Sequence, residues 1–154
     1  AVIVAIPAGI LIWLCANVII GDASLLSHIT HFLDPLGRLM GLDGVLLAAF
    51  ILGFPANEIV LPIALIAYLA TGSMVDLESV SEIGSILLAN GWSIVTIVCS
   101  MIFTLFHFPC ATTCLTLYRE NGSIRWTLLA FLLPTLIGVS LCIGVAFVLR
   151  MFGL

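Results

Sequence analysis

The chain is too apolar for a soluble domain. Of its 154 residues, 63% are hydrophobic and 8% are charged, with a mean hydropathy of +1.37, whereas a typical soluble domain has about 25% charged residues. The net charge is −4 and there is no lysine, which excludes a basic surface for nucleic acid. The composition predicts an all-α integral membrane protein, because helices satisfy their own backbone hydrogen bonds in lipid.

Two elements are predicted before residue 43. Residues 1–21 contain no charged side chain and reach the roughly 20 apolar residues that cross a bilayer. Residues 24–42 differ, because apolar side chains recur at helical spacing while polar ones collect on the other side. That pattern predicts an amphipathic helix in the membrane interface. His28 and His31 are expected on its solvated face, with a role in gathering metal ions as the alternative.

Four further segments follow. Residues 43–73 and 91–118 are apolar but interrupted near the middle, so both are predicted to be broken helices. The stretch 74–90 between them is expected to be an acidic loop, and 126–149 is a further transmembrane helix with a kink at Pro134, which makes about four transmembrane segments in all. The loop is expected to be a wet surface, with cation attraction as the alternative; its acids are Asp76, Glu78 and Glu82.

Both interruptions contain a phenylalanine followed by a proline. The first is Gly53-Phe54-Pro55 and the second is Phe108-Pro109. Proline suits the first turn of a helix and favours an extended residue before it, so we expect each helix to break at the phenylalanine and resume at the proline. Paired interruptions of this kind point to the binding site of a transporter.

Each break is expected to expose polar backbone groups. A half-helix that begins at Pro55 or Pro109 presents free N–H groups and a positive dipole end, which favour an ionised Glu58 and a thiolate at Cys110. The carbonyls left without a helical donor by a proline four residues later are those of Ile51, Glu58 and Leu105. Such carbonyls persist in a membrane only when buried in protein or facing a water-filled cavity, and a cation suits that place.

The polar side chains near the breaks combine carboxylate, imidazole and thiol chemistry. Cys110 and Cys114 are four residues apart and share one helical face. This mixture of donors suits a divalent transition metal such as Fe²⁺, Mn²⁺ or Zn²⁺ better than Ca²⁺ or an organic solute. The candidate metal or permeation residues are Asn57, Glu58, His107, Cys110 and Cys114.

Most candidates also have a structural interpretation. Asn57 could cap a helix, His107 could hydrogen-bond a free carbonyl, and either cysteine of the pair could be a small buried apolar residue. Glu58 has no such structural interpretation, since an acid inside an apolar segment marks a functional site by default. The remaining cysteines lie in apolar runs and are interpreted as packing residues; they are Cys15, Cys99 and Cys142.

Several strings resemble the permease of FeoB-type ferrous iron transporters. The string HFLDPLGRLMGLDG at 31–44 leads into FILGFPANE at 50–58, and LLANGW at 87–92 and HFPCATT at 107–113 follow in the same order. The match covers most of the chain, and its Gly-Phe-Pro-Ala-Asn-Glu string is long and unusual.

The resemblance implies both a function and a place in a larger protein. Residues 1–154 would be a partial permease, or gate, domain that moves Fe(II) across the cytoplasmic membrane into the cell. Fe(II) would be the transported ion, with no permanently bound cofactor, and the protein would be a multi-pass protein of the inner (cytoplasmic) membrane. The implied partners are an N-terminal GTP-binding domain and a first gate segment of the same protein, small cytoplasmic Feo proteins, and further copies of the protein in a homo-oligomer.

No catalytic motif is found, and the alternatives are other carriers. The chain lacks a Gly-x-x-x-x-Gly-Lys-Ser/Thr phosphate loop, so GTP hydrolysis is assigned to a domain outside it, and it lacks the His-Glu-x-x-His motif of metalloproteases. The nearest rival is a gate-type carrier for a nucleoside or other organic solute, which would favour aromatic and amide groups over thiols at the break. Transport of another divalent metal and a purely structural membrane subunit are further alternatives.

Overall fold

The computed structural model describes residues 2–69 and 80–153, and nearly all of this part of the chain is helical. The predicted helical membrane fold class is confirmed. The elements are α1 (Val2–Asn17), β1 (Ile19–Ile20), β2 (Ala23–Ser24), α2 (Leu25–Leu39), α3 (Gly44–Leu52), a 3₁₀ turn (Asn57–Ile59), α4 (Val60–Leu69), α5 (Val80–Ala89), α6 (Ile94–Phe106), α7 (Ala111–Asn121) and α8 (Ile124–Met151).

Two stretches of the described residues are long and apolar enough to cross a membrane. They are Ile94–Asn121, which contains α6 and α7, and Ile124–Met151. A third is possible if α2 and α3, which meet at 110°, form one bent span. This range of two to three agrees loosely with the four expected segments.

The first predicted membrane helix is shorter than expected. Helix α1 ends at Asn17, and β1 and β2 then pair antiparallel, with Ile19 opposite Ser24. Gly21 lies between the two strands with φ of 72°, a left-handed conformation that glycine adopts without strain. The turn therefore replaces the last helical turn that hydrophobicity alone predicted for residues 1–21.

A sharp corner joins α2 to α3. Helix α2 ends in a Schellman motif, in which Leu42 N–H donates to the Gly37 carbonyl (2.9 Å) and Gly41 takes φ of 76°. A Cβ on Gly37 would lie 2.6 Å from the carbonyl carbon of Asp43, so only glycine permits this approach of the two backbones. If α3 crosses the membrane, the 110° angle lays α2 close to the membrane plane, as its amphipathic pattern predicts.

The two broken segments differ in shape. Helices α3 and α4 pack against each other, so the first segment folds back on itself. The reason is a turn at the break, where Ala56 N–H donates to the Gly53 carbonyl (3.0 Å) with Pro55 inside the turn. The second segment keeps α6 and α7 in one apolar span.

The acidic loop prediction for 74–90 is partly wrong. Residues 80–89 form α5, and 74–79, which include Asp76 and Glu78, lie outside the described residues. Helix α5 ends in a Schellman motif, in which the Trp92 N–H donates to the Leu87 carbonyl (3.1 Å) and Gly91 has φ of 86°. Glu82 lies in the first turn of α5, where a negative charge is favourable.

Helices α6 and α8 pack closely through small residues. Cys99 and Cys142 are fully buried, and each thiol donates to the other's carbonyl, at 3.8 and 3.4 Å. On the same helix face, a Cβ on Gly138 would lie 2.9 Å from the Phe106 Cβ. Small residues at such positions let membrane helices approach closely, and Cys15 is likewise buried. These positions agree with the packing interpretation of the three cysteines.

The predicted segments 91–118 and 126–149 leave residues 119–125 as a connection, and the turn observed there is shorter. Helix α7 continues to Asn121 and ends at Gly122, whose φ is 60°. Helix α8 starts at Ile124 and continues through Pro134 to Met151 as one element.

Candidate functional site

The two helix breaks are in direct contact. The Ala111 N–H donates to the Phe54 carbonyl (2.8 Å), which links the first residue of α7 to the first break. The Phe54 and Phe108 rings have centroids 5.8 Å apart, and Phe131 of α8 stacks on Phe108 at 5.1 Å. Two interruptions far apart in sequence therefore form one unit.

The helices resume two residues after each proline, not at the proline as predicted. Ala56 and Cys110 are extended and serve as the N-cap residues of the 3₁₀ turn and of α7. The carbonyl of Ile51 is also not free, since it accepts the Phe54 N–H (3.3 Å). Fewer backbone N–H and carbonyl groups are therefore unpaired than predicted. The turn at the first break and the hydrogen bond between the two breaks account for the difference.

A cavity of about 410 Å³ lies beside the second break, and Cys110 lines it. The Cys110 Sγ lies 3.0 Å from the Thr112 hydroxyl and 3.1 Å from the Thr113 hydroxyl. Pro134 of α8 lines the same cavity. The thiol therefore sits at the start of α7 among hydroxyl groups, next to open space.

A second cavity of about 210 Å³ holds the acid of the first break. Glu58, an exposed residue in the 3₁₀ turn, lines it together with Trp92 and Ser100. Its position at the start of a helical run agrees with the predicted placement near a positive dipole end.

The two cavities have three lining residues in common, Asn57, Thr104 and His107. His107 is the C-cap residue of α6 and is 8% exposed. Its Nδ1 lies 2.9 Å from the Thr104 carbonyl oxygen. The carboxylate of Glu58 and the thiol of Cys110 thus belong to neighbouring cavities with one shared wall.

Cys114 lies apart from this arrangement. Its Sγ donates to the Pro109 carbonyl (3.5 Å), and it lines neither of the two cavities. Within residues 2–69 and 80–153, no three His, Cys, Asp or Glu side chains converge closely enough to hold a metal ion. The structure therefore gathers four of the five candidates around adjoining cavities without forming a closed metal centre.

Sequence reasoning missed the polar face of α6. Thr96, Ser100 and Thr104 are spaced four residues apart in an otherwise apolar helix, and His107 follows Thr104 three residues later. The Thr104 hydroxyl bonds the Ser100 carbonyl (2.8 Å), and the Ser100 hydroxyl bonds the Thr96 carbonyl (2.6 Å). The helical period of these hydroxyl residues was the signal that could have placed Ser100 and Thr104 at the cavities.

Paired broken helices that meet beside cavities are typical of membrane transport proteins. Residues 1–124 match the model of the Gate family, which is described as nucleoside recognition. This stretch is well over half of the 154 residues, and the chain belongs to the Gate family. No curated protein and no solved structure matches the chain. Membership of the family associates this membrane protein with transport.

Proposed function

We propose that the chain is part of a permease that moves Fe(II) across the cytoplasmic membrane into the cell. Gate domains occur in the C-terminal region of FeoB proteins and in nucleoside transporters, and the strings at 31–44, 50–58 and 107–113 resemble the former. Fe(II) is cargo in this proposal. GTP hydrolysis belongs to a domain outside these residues, and Feo proteins and further copies of the protein are its partners.

The observation that carries the proposal is the donor set of the two adjoining cavities. Glu58 contributes a carboxylate to one cavity, Cys110 contributes a thiol to the other, and His107 lines both. Oxygen donors alone suit Mg²⁺ and Ca²⁺, whereas imidazole and thiolate favour transition metals. The combination is better suited to a borderline ion such as Fe²⁺ than to an organic solute.

The arrangement of the donor groups suits an ion that passes through better than an ion that stays bound. Because the described residues hold no closed metal centre, an ion would exchange ligands as it moves and would not be held tightly. Glu58 would replace part of the hydration shell on one side, and Cys110 would supply a soft ligand on the other. Weak successive sites let an ion leave as readily as it enters.

A nucleoside carrier is the second candidate, and aromatic side chains favour it. Phe54, Phe108 and Phe131 form a cluster at the breaks, and Trp92 lines the cavity of Glu58. Aromatic faces stack on nucleobases, and the amide of Asn57 could read a base edge. This candidate gives no role to the Cys110 thiol.

The test is a comparison of two cargoes in cells that express the intact protein. Uptake of radioactive Fe(II), kept reduced, and of tritiated nucleosides is measured with the unmodified protein, Glu58→Gln and the control Glu120→Gln. Glu120 is an exposed acid near the end of α7. We expect Fe(II) uptake that Glu58→Gln depresses and Glu120→Gln leaves unchanged, at equal protein in the membrane. Nucleoside uptake without Fe(II) uptake would establish the second candidate instead.

A further inference from the structure

One ring nitrogen of His107 is buried without a partner. Among the described residues, Nε2 of His107 is the buried side-chain nitrogen or oxygen that has no hydrogen bond. Leaving such a group unpaired costs free energy, since it gives up its hydrogen bonds to water on burial. His107 lines both cavities, so this unpaired nitrogen belongs to a residue of their shared wall.

The other ring nitrogen determines the chemistry of Nε2. Nδ1 lies 2.9 Å from the Thr104 carbonyl oxygen, which only accepts hydrogen bonds. The neutral imidazole therefore carries its hydrogen on Nδ1, and the lone pair is on Nε2. Histidines that bind metals have this arrangement, in which a carbonyl or carboxylate holds one nitrogen and leaves the other free to coordinate.

Aromatic rings hold the imidazole in place. The ring centroids of Phe50, Phe103 and Phe108 lie 5.2, 6.0 and 5.4 Å from that of His107. The backbone is fixed as well, because the His107 N–H donates to the Phe103 carbonyl (2.7 Å) at the end of α6. In these apolar surroundings a bond from Nε2 to a cation faces little competition from water.

We propose that His107 is the ligand that transfers the ion between the two cavities. Its Nε2 binds the ion between the Glu58 cavity and Cys110, and the Thr104 carbonyl is the positioning group that keeps the lone pair available. The inference rests on the proposed function and adds the order of ligands, from carboxylate to imidazole to thiol.

Two variants separate a ligand from a packing residue. His107→Asn keeps an N–H near the position of Nδ1 for the Thr104 carbonyl but has no atom at Nε2. His107→Phe fills the same space among the aromatic rings and removes both nitrogens. Each is measured in the intact protein by Fe(II) uptake in cells, by the unfolding temperature in detergent, and by the rise in that temperature on adding anaerobic Fe(II).

We expect both variants to lose Fe(II) uptake by about tenfold or more and to lose the rise in unfolding temperature caused by Fe(II). Without Fe(II), His107→Phe should unfold at the same temperature as the unmodified protein or higher, because the unpaired nitrogen is gone. A lower unfolding temperature with full Fe(II) uptake per folded molecule would make His107 a packing residue and overturn the inference.

Variants of the other candidate residues distinguish a failure of this inference from a failure of the proposed function. If Glu58→Gln and Cys110→Ala impair Fe(II) uptake while His107→Phe does not, the iron pathway stands and the role of His107 is wrong. If the unmodified protein takes up no Fe(II), the proposed function fails and the inference fails with it.

Discussion

Five cysteines with the same side chain occupy three kinds of environment. Cys99 and Cys142 bond each other's carbonyls at a helix interface, and Cys15 is also buried. The Cys114 thiol donates to the Pro109 carbonyl just before α7, and Cys110 lines a cavity. The environment, and not the residue type, therefore singles out Cys110 as the thiol that the proposed ion path would meet.

Cys110 and Cys114 provide a matched pair for testing that conclusion. Cys110→Ala removes the soft ligand beside the cavity, so we expect Fe(II) uptake to fall and discrimination against Mg²⁺ to weaken. Cys114→Ala should have a smaller effect, since its thiol is bonded to the Pro109 carbonyl and lines neither cavity. Competition of each divalent ion with radioactive Fe(II) uptake measures both effects.

The packing control is Cys15→Ala. It leaves a small cavity that costs some stability but should not change ion selectivity at equal protein level. Equal uptake and selectivity in Cys110→Ala and Cys15→Ala would show that the Cys110 thiol is not on the ion path.

At the scale of elements, the hydrogen bond between the breaks can be tested on its own. Ala111 is the first residue of α7, a position that proline favours, and Cys110 before it is already extended, with φ of −63° and ψ of 161°. Ala111→Pro therefore keeps α7 intact and removes only the N–H that the Phe54 carbonyl accepts.

We expect Ala111→Pro to lose about 1–3 kcal/mol of stability, the cost of leaving a partly buried carbonyl unpaired. Fe(II) uptake should fall as well, because the two cavities depend on the contact between the breaks. Ala111→Ser keeps the N–H and serves as the control. Unfolding in detergent measures the stability, and equal values for the two variants would contradict a structural role for this bond.

The positions of most elements could be predicted from the sequence, but the residues at which they begin and end could not. The Phe-Pro steps identified both breaks because proline has a strong local effect on the backbone. The restart at Asn57 and Ala111 was missed because it depends on the Gly53–Ala56 turn and on the partner break. Residues 80–89 were assigned to a loop since acidic composition outweighed the helical spacing of Ile83 and Leu87.

At the scale of the molecule, the polar network that joins distant elements was not predictable. The Tyr68 hydroxyl at the end of α4 donates to Asp43, and the Trp92 indole N–H donates to the Tyr68 oxygen (2.9 Å). Asp43 in turn caps α3 through the Leu46 N–H (2.7 Å). Tyr68 is 25 residues from Asp43 and 24 from Trp92, so no local spacing rule connects them.

Tyr68 should therefore contribute to the stability of the whole molecule. Tyr68→Phe removes one of the two hydrogen bonds of the Asp43 carboxylate and leaves the Trp92 N–H unpaired in a partly buried position, and we expect a loss of about 1–3 kcal/mol. Because Trp92 lines the Glu58 cavity, the same change should also lower Fe(II) uptake. The matched control is Tyr118→Phe, since Tyr118 is the other tyrosine of the chain and is exposed on α7. Thermal unfolding of the intact protein in detergent measures the difference, and equal midpoints for the two variants would show that the network does not hold these helices together.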